Sequence, residues 1–379
     1  MRSEYDLQYS VAKHLSETEH VDFSFMVFGA HLSERFGYTL NDIYADGFNI
    51  VSKSLTSLDS QSHYAKAKSS GVLMMAIADV FENDRPDLII VAGDREETII
   101  AATTATYFNI PVAHLFGGDK TFPENIGDVD EPIRHATTKL AHIHFPIHAQ
   151  HAKRIEMMGE ETWRIHNEGS PALDKYLMYP SASLANVEKY FKMPITKNSY
   201  AVIIYHSLPN NINESCTELE NILKVLADKN IKAFISYPNN DPGNYLIIEL
   251  LEKFSKQHNN IILYKNLSKD IFIPLIQGTA FLIGNSSMGI LECPFLEKPA
   301  INVGKRQQER LNAGNVIFCG TTEQKIAEAI DFVSNDDTYI NDLHKNKYFY
   351  GDGFTGKKIA NILSTIPIDN KLLAKQITY

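Results

Sequence analysis

Carboxylates placed one after another at the ends of apolar runs are the first chemical signal in this sequence. Asp94 and Arg95 follow residues 88–92, and Asp119 closes the stretch HLFGGD at residues 114–119. Residues 127–135 (GDVDEPIRH) add Asp128, Asp130, Glu131, Arg134 and His135. Carboxylates crowded at adjacent strand ends separate their pKa values, which leaves one as an acid and another as a base. That placement marks Asp94, Asp119 and Asp130 for proton transfer, whereas Asp128 and Glu131 read as solvated loop charges. His206 is a second signal, directly after the apolar run 201–205. The third is residues 284–292 (GNSSMGILE), where small residues turn the chain out of a strand and a helix starts with Ser286 or Ser287 exposed. Free N–H groups at a helix start favour phosphate, and Glu292 is placed to accept from ribose hydroxyls. Taken alone, the serine turn is an ordinary helix cap. It is not a Walker loop, because no Gly-Lys-Ser/Thr follows. No tight His/Asp spacing supports a metal site. His142, His144, His148 and His151 read as structural or surface residues.

Such groups need a scaffold that delivers strand ends to one edge. Apolar runs at 21–28, 88–92 and 112–115 alternate with helical stretches at 64–82, 98–107 and 133–141. The small residues of 98–107 suit close packing on a sheet. The pattern restarts after the polar stretch 193–199, with strands expected at 201–205, 233–237, 261–264, 280–283 and 300–303. Helices fit 216–227, 245–254 and 323–333, and a last short helix at 357–364 is placed to pack back across the domain junction. Strand–helix alternation means a parallel sheet covered on both faces. The expected fold is therefore α/β, with two Rossmann-like domains at 1–195 and 196–379. Ligands bind beyond the carboxyl ends of such strands, and the cleft between two domains is the natural site.

Bulk properties agree. A chain of 379 residues is too long for one ordinary core. Mean hydropathy is -0.21, and no apolar run approaches the roughly 20 residues of a membrane span. The start, MRSEYDLQYS, lacks a secretory pattern, and Cys216, Cys293 and Cys319 are too scattered for a disulfide or zinc framework. A reduced cytoplasmic protein is the expectation. The formal charge of -10 argues against a general nucleic-acid binder, while leaving room for an anionic small ligand held by a few placed arginines.

Several segments, in consistent order along nearly the whole chain, resemble the hydrolysing UDP-N-acetylglucosamine 2-epimerases of sialic-acid-type biosynthesis. They are residues 30–39 (AHLSERFGYT), 93–95 (GDR), 114–119, 130–144 (DEPIRHATTKLAHIH), 284–292, 304–316 (GKRQQERLNAGNV) and 350–358 (YGDGFTGKK). The resemblance implies the two-domain GT-B fold and elimination of UDP across C1–C2 of the sugar. Water then adds to give free N-acetylmannosamine. It implies no metal or nicotinamide cofactor, and a homodimer. Carried over by position, Asp94, Asp119 and Asp130 match the acidic catalytic residues, and His206 matches a histidine near the phosphates. Arg95, Ser286, Ser287 and Glu292 match nucleotide-binding positions, Arg2 the arginine of an N-terminal loop, and His31 a histidine on the sugar side. Arg306 and Arg310 match the same cleft. The Arg134-His135 and Thr138-Lys139 run favours the hydrolysing branch over one that keeps the sugar on UDP.

The chain departs from the family in two places. Asp119 stands where members often carry Glu, Phe116 where they carry His or Glu, and residues 120–126 lengthen the loop. Phe116 suits a less polar sugar, such as a 2,4-diacetamido-6-deoxy sugar. The family also opens on a buried strand, whereas residues 1–5 match the turn after it, so the expectation is a lost first strand and a loose terminus. Two rival readings share the UDP site: a GT-B glycosyltransferase, which needs an acceptor, and a non-catalytic UDP-sugar binder. No hydrophobic or basic membrane-facing patch supports a lipid acceptor.

Overall fold

All strand pairings in the computed structural model are parallel among the described residues, as the alternation requires. Described are residues 2–34, 38–56, 58, 63–121, 129–179, 183–208, 211–238 and 243–379. Of these, the residues in Met1–Asp119, Asp128–Lys175 and Gly351–Tyr379 form one compact unit, and those in Lys120–Gly127 and Tyr176–Tyr350 another.

In chain order the first unit holds α1 (Arg2–Ser16), β1 (Ser24–Phe28), α2 (Leu40–Ala45), β2 (Asn49–Ser54), α3 (His63–Asn83) and β3 (Ile89–Ala92). Then come α4 (Glu96–Tyr107), β4 (Val112–Leu115), α5 (Asp130–Leu140), β5 (Ile143–Phe145) and α6 (Ala149–Met157). β3, β4 and β5 make one sheet in that order, while β1 and β2 pair separately. Leu73, Ile77 and Phe81 of α3 pack with Ile89 and Val91 of β3. Ala101, Ala102 and Ala105 of α4 complete this core, the close approach that its small residues suggest, and Met26 and Phe28 of β1 pack against it. Each of β1 and β3 keeps one edge without a ladder partner among the described residues, and β1 stays only partly buried. Open parallel edges invite pairing with other chains.

The chain start differs from the expected turn. Residues from Arg2 onward form α1, which buries Tyr5, Tyr9, Val11 and Leu15. The chain returns to this unit at its end through α15 (Thr355–Thr365) and α16 (Asn370–Leu373). Asp174 ties the return down, accepting from Thr355 N (3.1 Å), Gly356 N (2.6 Å) and Ser10 Oγ (2.9 Å). A side chain at Gly356 would meet Ser10 Oγ at 2.1 Å, so glycine is what lets α15 lie on α1.

The second unit runs α7 (Lys175–Met178), α8 (Leu184–Phe191), β6 (Tyr200–Ile204), α9 (Ile212–Asp228), β7 (Lys232–Ser236), α10 (Asn244–Gln257) and β8 (Ile261–Tyr264). It continues with α11 (Lys269–Gly278), β9 (Phe281–Gly284), α12 (Met288–Leu291), β10 (Ala300–Val303), β11 (Val316–Cys319), α13 (Glu323–Asn335) and α14 (Asp337–Asp342). Its sheet has six strands in the order β11-β10-β9-β6-β7-β8. Ile203, Ile235, Ile283 and Val303 pack from the strands against Leu219 and Leu223 of α9 and Ile330 of α13. The direction of winding reverses between β6 and β9, the switch point at which doubly wound sheets open a crevice beyond their strand ends. No described helix is long and apolar enough to cross a membrane.

Candidate active site

Three elements of the first unit deliver its acidic residues. β3 ends at Gly93, whose φ of +81° turns the chain so that Asp94 and Arg95 precede α4. β4 ends at Phe116, Gly117 and Gly118, and Asp119 follows, 5% exposed. α5 begins with Asp130 and carries Glu131, Arg134 and His135 on its first turns.

Arg134 gathers Asp94, Asp119 and Glu131. Its guanidinium, 2% exposed, donates to Asp94 Oδ2 through Nη2, and through Nη1 to Glu131 Oε2 at 2.8 Å and the Asp119 carbonyl at 3.4 Å. Burial works against the charge, but Asp94, Asp119 and Glu131 outweigh it and hold the pKa above the ordinary arginine value. Glu131 also meets His135 Nε2 at 2.9 Å, so it is a member of the network and not the solvated loop charge its sequence position suggests. Asp119 Oδ1 lies 3.5 Å from Nε2 of His151, which is fully buried. Asp128 lies outside the described residues.

The turn carrying Asp119 is tightly constrained. Phe116 has φ +68°, rare for a side chain of its size, and donates its N–H to Phe145 O at 3.1 Å. Arg154 Nη1 holds the Gly118 carbonyl at 3.1 Å. Gly118 has φ +77°, and an added Cβ would sit 2.3 Å from the His151 carbonyl oxygen. Gly118→Ala is expected to cost about 2–3 kcal/mol in urea unfolding and to reduce turnover by displacing Asp119. Unchanged stability would mean the turn adjusts freely.

Beneath the acidic cluster lies His114, whose Nε2–H donates to Gly93 O at 2.9 Å while Nδ1 faces Thr138 Oγ1 at 3.4 Å. Burial pushes its pKa down to about 4, against the pull of the Gly93 hydrogen bond. Burial, helped by the charges of Lys375 and Arg164, does the same for His142, also to about 4. Both stay neutral when folded but take up a proton when unfolded below the free histidine pKa of about 6.5. The unfolded state then binds more protons, so stability falls as pH drops from about 6.5 toward 4, by on the order of 2 kcal/mol per histidine. Melting temperatures at pH 7 and 4.5 check this. Equal values would contradict it.

The remaining predicted residues of this unit lie in the same strand-end loops or on α1. His31 follows β1 in a short helical turn and shares a 2.8 Å hydrogen bond with Thr39 Oγ1. Arg95 Nε stands 3.6 Å from Glu4 Oε1, so Glu4 sits on an ordered helix with an ionic partner. Arg2 opens that helix.

In the second unit, His206 follows β6 and residues 285–287 follow β9, the two strands that flank the switch point. Asn285, absent from the sequence-based candidates, joins them. Its side chain makes two 2.8 Å hydrogen bonds to the His206 main chain. Its carbonyl accepts from Arg306 Nη1 at 2.9 Å and Gln307 Nε2 at 3.3 Å. Arg310 Nη1 donates to Gln307 Oε1 at 2.7 Å. His206, Ser286, Arg306 and Arg310 are thus brought onto one bonded loop system.

The helix after Ser286 and Ser287 spans only Met288–Leu291, with Ser287 at its N-cap. It is a single turn of 4 residues. Ser286 Oγ accepts from Met288 N at 3.3 Å. Glu292 closes α12 and accepts from Tyr176 Oη at 2.5 Å. Among the described residues no group of three or more His, Cys, Asp or Glu is arranged to hold a metal ion.

Two parallel α/β units, with a carboxylate cluster at the strand ends of one and a switch-point loop system in the other, define a class of nucleotide-sugar enzyme by form. Sequence comparison gives the family. Residues 13–364 match the model of the UDP-N-acetylglucosamine 2-epimerases, and the chain belongs to that family. It is 31% identical over 380 residues to UDP-N,N'-diacetylbacillosamine 2-epimerase (hydrolyzing) of Legionella pneumophila, covering 100% of this chain and 97% of that one. A GDP/UDP-N,N'-diacetylbacillosamine 2-epimerase (hydrolyzing) of Campylobacter jejuni is 32% identical over 318 residues, 83% of this chain and 81% of its own. The crystal structure of UDP-GlcNAc 2-epimerase from Neisseria meningitidis bound to UDP-GlcNAc superposes with a TM-score of 0.83 at 18% identity, covering 97% of this chain and 98% of that one. This likeness shows the fold, the GT-B type.

Proposed function

We propose that the protein is a hydrolysing 2-epimerase acting on a UDP-2,4-diacetamido-6-deoxy sugar, UDP-N,N'-diacetylbacillosamine, which it converts to the free 2-epimer and UDP. The observation that carries the choice of sugar is Phe116, a buried apolar side chain on the turn that leads from β4 to Asp119. The two hydrolysing relatives named for the diacetamido sugar support it. N-Acetylglucosamine carries a hydroxyl at C6 where the 6-deoxy sugar carries a methyl, and an unpaired hydroxyl costs more against an apolar wall than a methyl group does.

The chemistry assigns roles by need. The C2 proton is not acidic, so a positioned carboxylate must remove it while the C1–O bond to UDP breaks and a C1–C2 double bond forms. Asp94, Asp119 and Asp130 supply the carboxylates, and Arg134 holds the carboxylate of Asp94 and the main-chain carbonyl of Asp119. Water then adds its oxygen to C1 and a proton returns to C2 on the opposite face. His206 with Arg306 serves the departing phosphates, where charge develops in the transition state, and Ser286, Ser287 and Glu292 serve the nucleotide. Arg2, Arg95, His31 and Arg310 complete the proposed substrate contacts.

UDP release from the two sugars tests the substrate. A kcat/KM ratio of about tenfold or more in favour of the diacetamido sugar is expected, the size of one or two mismatched polar groups. Turnover of UDP-N-acetylglucosamine alone would overturn the choice of sugar, and release only with an acceptor would favour a glycosyltransferase.

A further inference from the structure

We infer that Asn285 is a positioning residue for His206, locking the histidine main chain to the loop that carries Ser286; the inference rests on the function proposed above. The ladder between β6 and β9 ends at the pair Ile204–Gly284, one residue short of Asn285. From there a side chain takes over. Asn285, 1% exposed, accepts the His206 N–H on Oδ1 and donates Nδ2–H to the His206 carbonyl, both at 2.8 Å. Its own N–H donates to Ile204 O at 3.2 Å, and its carbonyl is held by Arg306 and Gln307. A carboxamide offers one donor and one acceptor side by side, the match to the N–H and C=O of a single extended residue. Aspartate offers two acceptors and leucine neither. With both main-chain groups of His206 fixed, the imidazole leaves the strand end from a backbone that cannot rotate. Ser286 is the next residue after the clamp, so nucleotide loop and histidine hold a common register.

A double-mutant cycle on kcat tests this, with UDP release measured for wild type, His206→Ala, Asn285→Ala and the double variant. If Asn285 acts through His206, each single substitution lowers kcat by about tenfold or more, and the double variant matches His206→Ala within about twofold. Losses that multiply would overturn the inference and leave the proposed function standing. A His206→Ala enzyme of normal rate would overturn the role of His206 along with it.

Asn285→Asp is the second variant, because it keeps the shape should truncation prevent folding. Its carboxylate opposes the His206 carbonyl, whereas the protonated acid donates to it as the amide does. Burial raises such a pKa, so relative to wild type its kcat should recover as pH falls. A loss with no recovery at lower pH would contradict the clamp.

Discussion

Arg134→Met is expected to abolish turnover, with a loss of about a thousandfold or more in kcat, and to destabilise the first unit. The guanidinium is buried and serves Asp94, Glu131 and the Asp119 carbonyl together. Methionine fills much of the volume but leaves two carboxylates facing each other without a cation. Breaking a buried pair in this way typically costs about 3–5 kcal/mol; Asp94 and Glu131 keep side-chain exposures of 29%, which places the expected loss near the lower figure. Arg134→Lys should rescue stability in part and activity poorly, since one ammonium cannot reproduce a planar fork donating in two directions. Urea unfolding and UDP release read the two effects separately. A stable, active Arg134→Met enzyme would remove the network from the mechanism.

Asp119→Asn should lower kcat by about 10²–10⁴, the range for losing a positioned acid or base, with UDP affinity changed by no more than a few-fold. The substitution preserves shape, and Ser286, Ser287 and Glu292, proposed to serve the nucleotide, lie in the other unit, so the effect falls on chemistry more than on binding. Nε2 of the buried His151 stands 3.5 Å from the carboxylate oxygen that is at stake. Loss of an acid or base of the reaction should change the pH dependence of kcat as well as its size. A variant with unchanged kcat would shift the proton-transfer role to Asp94 or Asp130.

The parallel α/β class and most of its longer elements were legible in the sequence, because buried strands such as 201–205 and 233–237 are continuous apolar runs and helices such as α9 and α13 have amphipathic periods. β2, β5 and β11 were not. β2 has only Ile50 and Val51 as apolar residues and alternates exposed with half-buried positions, and β5 and β11 are only 3 and 4 residues long. α1 went unread since residues 1–5 were matched to a family turn. Its aromatic residues Tyr5 and Tyr9 pack edge-to-face on Phe25 and Phe48, partners that only the fold brings to them. Asp94, Asp119 and Asp130 were visible as acidic groups at element ends. Arg134, His151 and Asn285 were not given their parts, because each depends on a partner brought in by topology: Asp94 is 40 residues from Arg134, and Asn285 is 79 from His206. A local motif carries no such information. One signal was available for Asn285: a carboxamide between a strand-ending glycine and two serines, at a position where two strands were expected to end.

The proposed reaction turns on breaking the C2–H bond as UDP leaves. Incubating the protein with UDP-N,N'-diacetylbacillosamine in deuterated water and following proton NMR tests that step directly. The expected result is UDP together with the free 2-epimer sugar, carrying deuterium in place of hydrogen at C2. Free sugar that retains its C2 proton and its original configuration would mean simple hydrolysis at C1 and would contradict the elimination.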